Sequence, residues 1–469
     1  MNNVTRRAFI KASTGIAAMA AASSAVGEEK AKISPGTEES KQIAKPFLAG
    51  VAVRDITPEP GVSMWGYSDR KGPATGTLDP LWAKAIAVRA GDTTAVVVSL
   101  DLGRVPLQSA CERIRAGARK AGVDFLALAA THTHHAPVME VEDAPHVKVI
   151  EAAIRDCIEE AVGKLEPARI GIARTQADVA HNRRVKREDG RCMMLWRNEE
   201  RKPTEPLDRE MAVIRIDRQD GKPLAALVNF ACHPVVMGPS NRQYSADYCG
   251  EMARIVKEQT GAECLFLQGA CGDINPYLDK TPMDKGGLDS MRATGRACAD
   301  AVLASWPAIQ TSSPEAPSLR GAEKSVVIGA RFDFSNAEQK EILRQVYGNA
   351  LDRYSGAMRP DLGVPLSVLV VNGNLAFAFM PGEIFVQYQL ELKANSPLPN
   401  TFLCGYANDF HGYFPTIRDA AAGGYGGLVA TYVGLGAGDK LVMESAIEVG
   451  KLVGRLKPVY QPEDFTLIE

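Results

Sequence analysis

A chain of 469 residues, 45% hydrophobic and 23% charged, can bury a sizeable core, and this excludes a disordered or fibrous chain. Its formal net charge of −2 offers no global field to a nucleic acid or an anionic bilayer. No Lys/Arg block interleaved with aromatics occurs, so nucleic-acid binding is set aside.

The first readable segment is Thr5-Arg6-Arg7-Ala8-Phe9-Ile10-Lys11, followed by a weakly apolar, Ala-rich run from Ala12 to Val26. It resembles a twin-arginine export signal, with small residues at Ser23-Ser24-Ala25 where a peptidase would cut. The expectation is a signal over 1–26, a polar flexible leader over 27–45 and a catalytic domain over 46–469, in a periplasmic or secreted protein whose partner on the way out is the twin-arginine machinery. Such a substrate crosses the membrane folded, which suits a cofactor loaded in the cytoplasm. It also suits the nine cysteines, an odd number without a Cys-x-x-Cys pair, read as small buried residues and not as disulfides. No later stretch has the length of apolar sequence that a membrane span needs.

Beyond the leader, β-branched runs alternate with amphipathic ones. Strands are expected at 94–100, 125–131, 168–174, 212–216, 225–231 and 264–267, and helices at 109–121, 146–165 and 247–260. Segments 366–372 and 375–380 read as a hairpin around Gly373, with a helix over 384–394 behind it. The Pro-rich stretch 305–318 reads as a joint within one catalytic unit, and no internal repeat is evident. The fold class implied is mixed α/β: mixed β-sheets packed together and flanked by helices.

Three of only seven histidines fall in Thr131-His132-Thr133-His134-His135, directly after an apolar strand. If that strand continues, His132 and His134 share a face and His135 points away. His233, in Asn229-Phe230-Ala231-Cys232-His233-Pro234, ends another apolar strand. Imidazoles at two strand ends suit a metal site, and catalytic zinc commonly adds a carboxylate while keeping a position open for water. Asp101, Asp247, Asp273 and Glu383 all stand at element ends, and spacing does not choose among them.

Several segments in order resemble the catalytic domain of the neutral, non-lysosomal ceramidases: Ala49 to Pro58, Met64-Trp65-Gly66-Tyr67, His132-Thr133-His134, Asn229 to His233, Gly272-Asp273-Ile274-Asn275-Pro276, Pro381-Gly382-Glu383, Asn408-Asp409-Phe410 before Tyr413, and Tyr425-Gly426-Gly427. The resemblance spans about Pro46 to Leu441. It implies one zinc ion per chain, held by His132, His233, Glu383 and Tyr413, whose bound hydroxide attacks an amide carbonyl. His134 would relay a proton to the leaving amine, while Tyr425 and Arg183, in His181-Asn182-Arg183, would stabilise the oxyanion. The implied substrate is a lipid or small-molecule amide, ceramide-like, with transient contact to a membrane surface. Where the family carries a serine, this chain has Asn275, which cannot act as a nucleophile. Pro415 and Ala420-Ala421-Ala422 also depart from the family pattern, which points to a different substrate, and the family's C-terminal immunoglobulin-like domain is expected to be lacking. Two other readings stay open: a two-metal phosphoester or ester hydrolase using Asp101, His132, His134, Asp247 and His233, and a non-catalytic binding protein on the same fold.

Overall fold

The period-two pattern of the alanine-rich strands decides how the molecule is layered. In a computed structural model, which describes residues 45–333, 335–347 and 361–460, strand Trp82–Ala90 sends Ala83, Ala85 and Ala87 to one side and Ile86, Val88 and Ala90 to the other. Strand Phe125–Ala130 divides in the same way, Leu126, Leu128 and Ala130 against Phe125, Ala127 and Ala129. Both faces are therefore apolar and both must be covered. The export signal and leader expected over 1–45 lie, Lys45 apart, outside the described residues.

The large sheet contains β1 (Leu48–Asp55), β2 (Trp82–Ala90), β3 (Thr93–Leu100), β4 (Phe125–Ala130), β5 (Glu166–Gln176), β6 (Glu210–Arg218), β7 (Pro223–Phe230) and β8 (Glu263–Gln268), in the order β8-β7-β6-β5-β1-β2-β3-β4. Pairing is antiparallel except for β3 with β4 and β7 with β8. Helices α1 (Gln108–Lys120), α2 (Pro145–Gly163), α3 (Asp247–Thr260) and α4 (Gly287–Ser305) share one core with one face of this sheet. The small residues of β1 and β2 let α2 come close, and Cys157 donates from its thiol to the carbonyls of Ala52 and Ala83. A Cβ at Gly50 would stand 2.3 Å from the Ala161 carbonyl oxygen.

A smaller sheet covers the other face: β9 (Leu319–Val327), β10 (Gly363–Val371), β11 (Leu375–Phe379) and β12 (Asn400–Cys404), in that order. Leu375, Phe377 and Phe379 point at the large sheet, whereas Ala376 and Ala378 face a third core with α5 (Val386–Asn395) and α6 (Ala437–Leu452). The layers run helix, sheet, sheet, helix, which is the mixed α/β class expected. The hairpin around Gly373 forms, with that glycine at φ 66°.

No repeat shows in the sequence, yet the topology repeats. Apart from short pairings within loops, β1-β2-β3-α1-β4-α2 is followed by β5-β6-β7-α3-β8-α4, each half with two antiparallel pairings and then a parallel one across a helix. The halves join through β1 and β5, and the two parallel edges come back towards each other. Ser99 of β3 donates to the Phe266 carbonyl of β8 at 2.7 Å, and Gln268 donates to the Thr131 carbonyl at 3.1 Å. The carboxyl ends of both parallel pairs thus meet, the position where open α/β sheets generally place their ligand crevice. The stretch 305–318 is a connection from α4 to β9, pinned to β5 by the Ile170–Ser312 bridge.

Candidate metal centre

His132 lies two residues beyond β4 and His233 three beyond β7. Glu383 follows β11, the first strand of a third parallel pair. The strand does not continue through the histidine triplet, as the alternation argument required: β4 ends at Ala130 and His132 takes a left-handed φ of 71°. Such a conformation costs a non-glycine residue of order 1 kcal/mol or more and persists only where its surroundings enforce it. Here the backbone N–H of His132 is held by Leu102 O at 2.9 Å and its Nδ1 by Gly103 O at 2.7 Å.

The two buried rings are locked in one tautomer. A carbonyl only accepts, so Nδ1 of His132 must carry the proton it gives to Gly103, and Nδ1 of His233 the proton it gives to Cys271 O at 2.6 Å. Each neutral ring then presents an Nε2 lone pair. These lone pairs face each other at 3.1 Å, with Oε2 of Glu383 at 3.2 Å from His233 and 3.5 Å from His132. Nε2 of His134 lies 3.4 Å from that of His132, and the three imidazoles form the only His/Cys/Asp/Glu group with metal-holding spacing among the described residues. Three buried acceptors meeting without a donor repel one another unless a cation sits between them. This donor set fits a divalent ion that accepts nitrogen and carboxylate ligands.

The electrostatics follow from burial and proximity. Burial alone would raise the Glu383 carboxyl; His132 and His233 could hold it below the usual range only if protonated at Nε2, so with neutral rings that part falls to a bound cation. His233 is pushed down to about 3, first by burial and then by the charge of Arg183. His134 is driven well below 6.5 by burial and by the neighbouring His132 and His233. His135 turns away: its Nε2 meets Met237 O at 3.1 Å, and its Nδ1 accepts from Asn241 and Arg70 at 3.1 Å each.

Of the four acids that spacing left open, only Glu383 reaches the His132 and His233 imidazoles; Asp247 lies 3.6 Å from His135, the ring that faces away. Asp101 accepts from the Trp82 N–H, Asp247 from the N–H groups of Val236, Met237 and Tyr248, and Asp273 from Val386 N–H and Asn182. Asp101 and Asp247 are spent on backbone, and the two-metal arrangement is not assembled. Tyr413 is paired with Glu383 across a short parallel bridge of backbone, and its hydroxyl accepts from Arg183 at 3.1 Å. Arg183, 4% exposed, also donates to Gly272 O at 2.6 Å and to Asn275 at 3.0 Å. The other end of the Asn275 amide donates to Asp279 at 2.8 Å. Tyr425 stands at the rim, 38% exposed, its ring 5.3 Å from that of Tyr413.

Sequence reasoning gave no role to several walls of the site. Trp65 packs edge-on against His132 and His134 at 5.0 and 5.1 Å, with its indole N–H on Glu140. Tyr406 stacks on His132 at 3.9 Å. Trp196 meets Tyr425 at 5.6 Å. Only the Trp65-Gly66-Tyr67 segment hinted at this: a Cβ at Gly66, φ 103°, would stand 2.5 Å from the His134 ring.

Fold and site together define a layered α/β protein with a prepared cation-binding crevice at the carboxyl ends of its parallel strands. The chain belongs to the neutral/alkaline non-lysosomal ceramidase family, whose N-terminal domain model matches residues 47–331, and membership supports a hydrolase. Glu383, Tyr413 and Tyr425 lie beyond that match. The fold is also that of two solved structures. The neutral ceramidase from Pseudomonas aeruginosa aligns with TM-score 0.68 and 19% identity, over 88% of this chain and 75% of its own. A ceramidase complexed with C2 aligns with TM-score 0.68 and 19% identity, over 89% of this chain and 77% of its own.

Proposed function

We propose that the chain is an exported, zinc-dependent amidohydrolase that cleaves the amide bond of a ceramide-like N-acyl lipid. The observation that carries this reading is the convergence of the His132 and His233 lone pairs with the Glu383 carboxylate, acceptors with no donor among them. Zinc held there would act as a Lewis acid and bring water towards ionisation near neutral pH. His132, His233 and Glu383 would hold it, Tyr413 completing the set, one ion per chain.

The remaining chemistry belongs to this chain's own side chains. His134 stays neutral because it is buried among other imidazoles, and its Nδ1 has no hydrogen-bond partner. It can accept a proton at Nε2, beside the cluster, and return it to the leaving nitrogen. Arg183, fixed by Asn275, Gly272 and Tyr413, presents positive charge where the carbonyl oxygen becomes negative, together with the Tyr425 hydroxyl. Asn275 makes and breaks no bond; with both ends of its amide committed it is a positioning residue for Arg183. Trp65, Trp196 and Tyr425 give the mouth the apolar walls a lipid amide requires. Export rests on Thr5 to Lys11, and Arg6→Lys with Arg7→Lys should leave the protein in the cytoplasm.

The test is metal analysis of protein folded in the cytoplasm, with hydrolysis of N-acylsphingosine and simpler N-acyl amines followed by release of the free amine. One zinc per chain is expected, with turnover lost on chelation and in His132→Ala. Full activity in protein stripped of metal would overturn the reading.

A further inference from the structure

The rim of the crevice carries one partly exposed cation whose setting the proposed hydrolysis does not explain. Lys280 is a non-glycine residue held at a left-handed φ of 51°, fixed by its N–H on Val235 O at 2.8 Å. Its carbonyl side is packed as tightly: a Cβ at Gly238 would stand 3.0 Å from the Lys280 oxygen. This enforced conformation places the ammonium 3.9 Å from the centre of the Trp196 ring, the ring that also takes Arg183 at 5.2 Å and meets Tyr425 edge-on.

The simplest account of Lys280 is that it neutralises Asp279, and the distances argue against it. Nζ lies 3.4 Å from Oδ2 of Asp279, long for a charge-assisted hydrogen bond, which favours about 2.7–2.9 Å. That oxygen already accepts from Asn275 at 2.8 Å. Oδ1 of Asp279, the atom in need of a donor, has no partner at all. The ammonium divides between this long contact and the aromatic face, 35% exposed, so that at least two of its three N–H bonds remain available. Burial disfavours its charge and Arg183 repels it, and together these lower its pKa from 10.5 despite Asp279, so an incoming anion would relieve it. Arg183 is itself a buried guanidinium whose hydrogen-bond acceptors are a carbonyl, an amide oxygen and a phenol hydroxyl, with no ion pair among the described residues and no acceptor at Nε. The one carboxylate acting on it, Glu383, does so through space and faces the imidazoles, so the guanidinium's direct acceptors are all neutral and an anionic ligand is favoured.

We infer that Lys280 is a specificity-determining residue that binds an anionic group on the amine half of the substrate, the carboxylate of an N-acylated amino acid being the smallest that fits the description. The inference rests on the amidohydrolase reading above and names the substrate class for the same site. The amine half is assigned by position: Thr281, next to Lys280, bridges to Met237, whose carbonyl accepts from the Tyr67 hydroxyl at 2.9 Å, and the Tyr67 ring packs 4.9 Å from His134, the group placed to protonate the leaving nitrogen. The acyl half then runs towards Tyr425 and the exposed apolar residues Leu428 and Val429, the latter bridged to the Tyr425 backbone.

Two arms test this with the full-length protein. Calorimetry compares two sulfonamides that cannot be hydrolysed, N-(dodecylsulfonyl)glycine and N-(dodecylsulfonyl)ethanolamine, on the wild type, Lys280→Met and Lys280→Arg. The carboxylate should bind about tenfold tighter than the alcohol, a preference lost in Lys280→Met, which keeps the apolar stem over Trp196, and kept in Lys280→Arg. Unchanged melting temperatures show that the variants are folded. In the second arm the ratio of kcat/KM for N-lauroylglycine over N-lauroylethanolamine should fall about tenfold in Lys280→Met, through KM. Equal or tighter binding of the alcohol by the wild type, or a carboxylate preference that survives Lys280→Met, overturns the inference. No turnover of either amide with the sulfonamide preference intact removes the hydrolase reading and leaves the anion subsite standing. A preference for the corresponding phosphate ester over the carboxylate would keep the anion subsite but overturn the amino-acid assignment.

Discussion

Arg183→Lys keeps the charge and removes the geometry. The guanidinium reaches three acceptors from one plane: Gly272 O at 2.6 Å, Asn275 Oδ1 at 3.0 Å and the Tyr413 oxygen at 3.1 Å. A lysine ammonium is a point donor on a stem without the fork, and in a site 4% exposed it can keep one of these contacts. Two lost charge-assisted bonds at roughly 1.5 kcal/mol each come to about 3 kcal/mol. Because Arg183 also faces the developing oxyanion, most of that loss should appear in the transition state. The expected outcome is a fall in kcat/KM of about 100-fold, with a smaller loss of thermal stability and zinc content retained. The assay is amine release under kcat/KM conditions, alongside metal analysis and thermal denaturation. Activity within threefold of the wild type would show that the fork is not used in catalysis and that a positive charge suffices.

Further outcomes follow from the same geometry. Glu383→Gln removes the only carboxylate that, among the described residues, reaches His132 and His233, and should weaken zinc binding at least tenfold, measured by competition with a chromophoric chelator. Gly103→Ala would set a Cβ 2.3 Å from the Trp65 ring while its carbonyl orients His132, so activity should drop more than tenfold with the fold preserved in circular dichroism. Asp101→Asn tests buried charge: burial raises this carboxyl from 3.8 to about 6, so the native state holds the proton up to about pH 6 and the unfolded chain only to 3.8. The stability this gives is complete below 3.8 and lost as pH rises through 6, hence the variant should gain on the wild type by about 2–3 kcal/mol between pH 4 and pH 8, read from denaturant midpoints. His134, kept neutral by burial, should leave kcat/KM without an acid limb at pH 6.5, a limb there indicating an exposed imidazole instead.

Much of the architecture was legible because period-two burial writes itself into composition. Segments such as Phe125 to Ala130 and Pro223 to Phe230 are apolar on both faces and read as buried strands, and α3 runs over the expected 247–260. The strands Trp82–Ala90 and Asn400–Cys404 were missed, the first because its alanines and charged residues dilute the β signal. The duplicated topology was invisible for a related reason: the two halves share connectivity and sheet pairing, which many side-chain sets satisfy.

The sequence by itself determined that histidines stand at two strand ends, that a metal held there would want a carboxylate, and which family the ordered motifs resemble. It could not choose among Asp101, Asp247, Asp273 and Glu383, since each sits at an element end and helix starts favour acids in any case. Only the tertiary structure decided that three of these carboxylates are consumed by other N–H donors while the fourth arrives from a second sheet, 150 residues from His233 along the chain. The physical reason is that a metal-binding crevice is a meeting of strand ends, and what meets is set by how the two sheets curl and stack, a property of packing that no local spacing records.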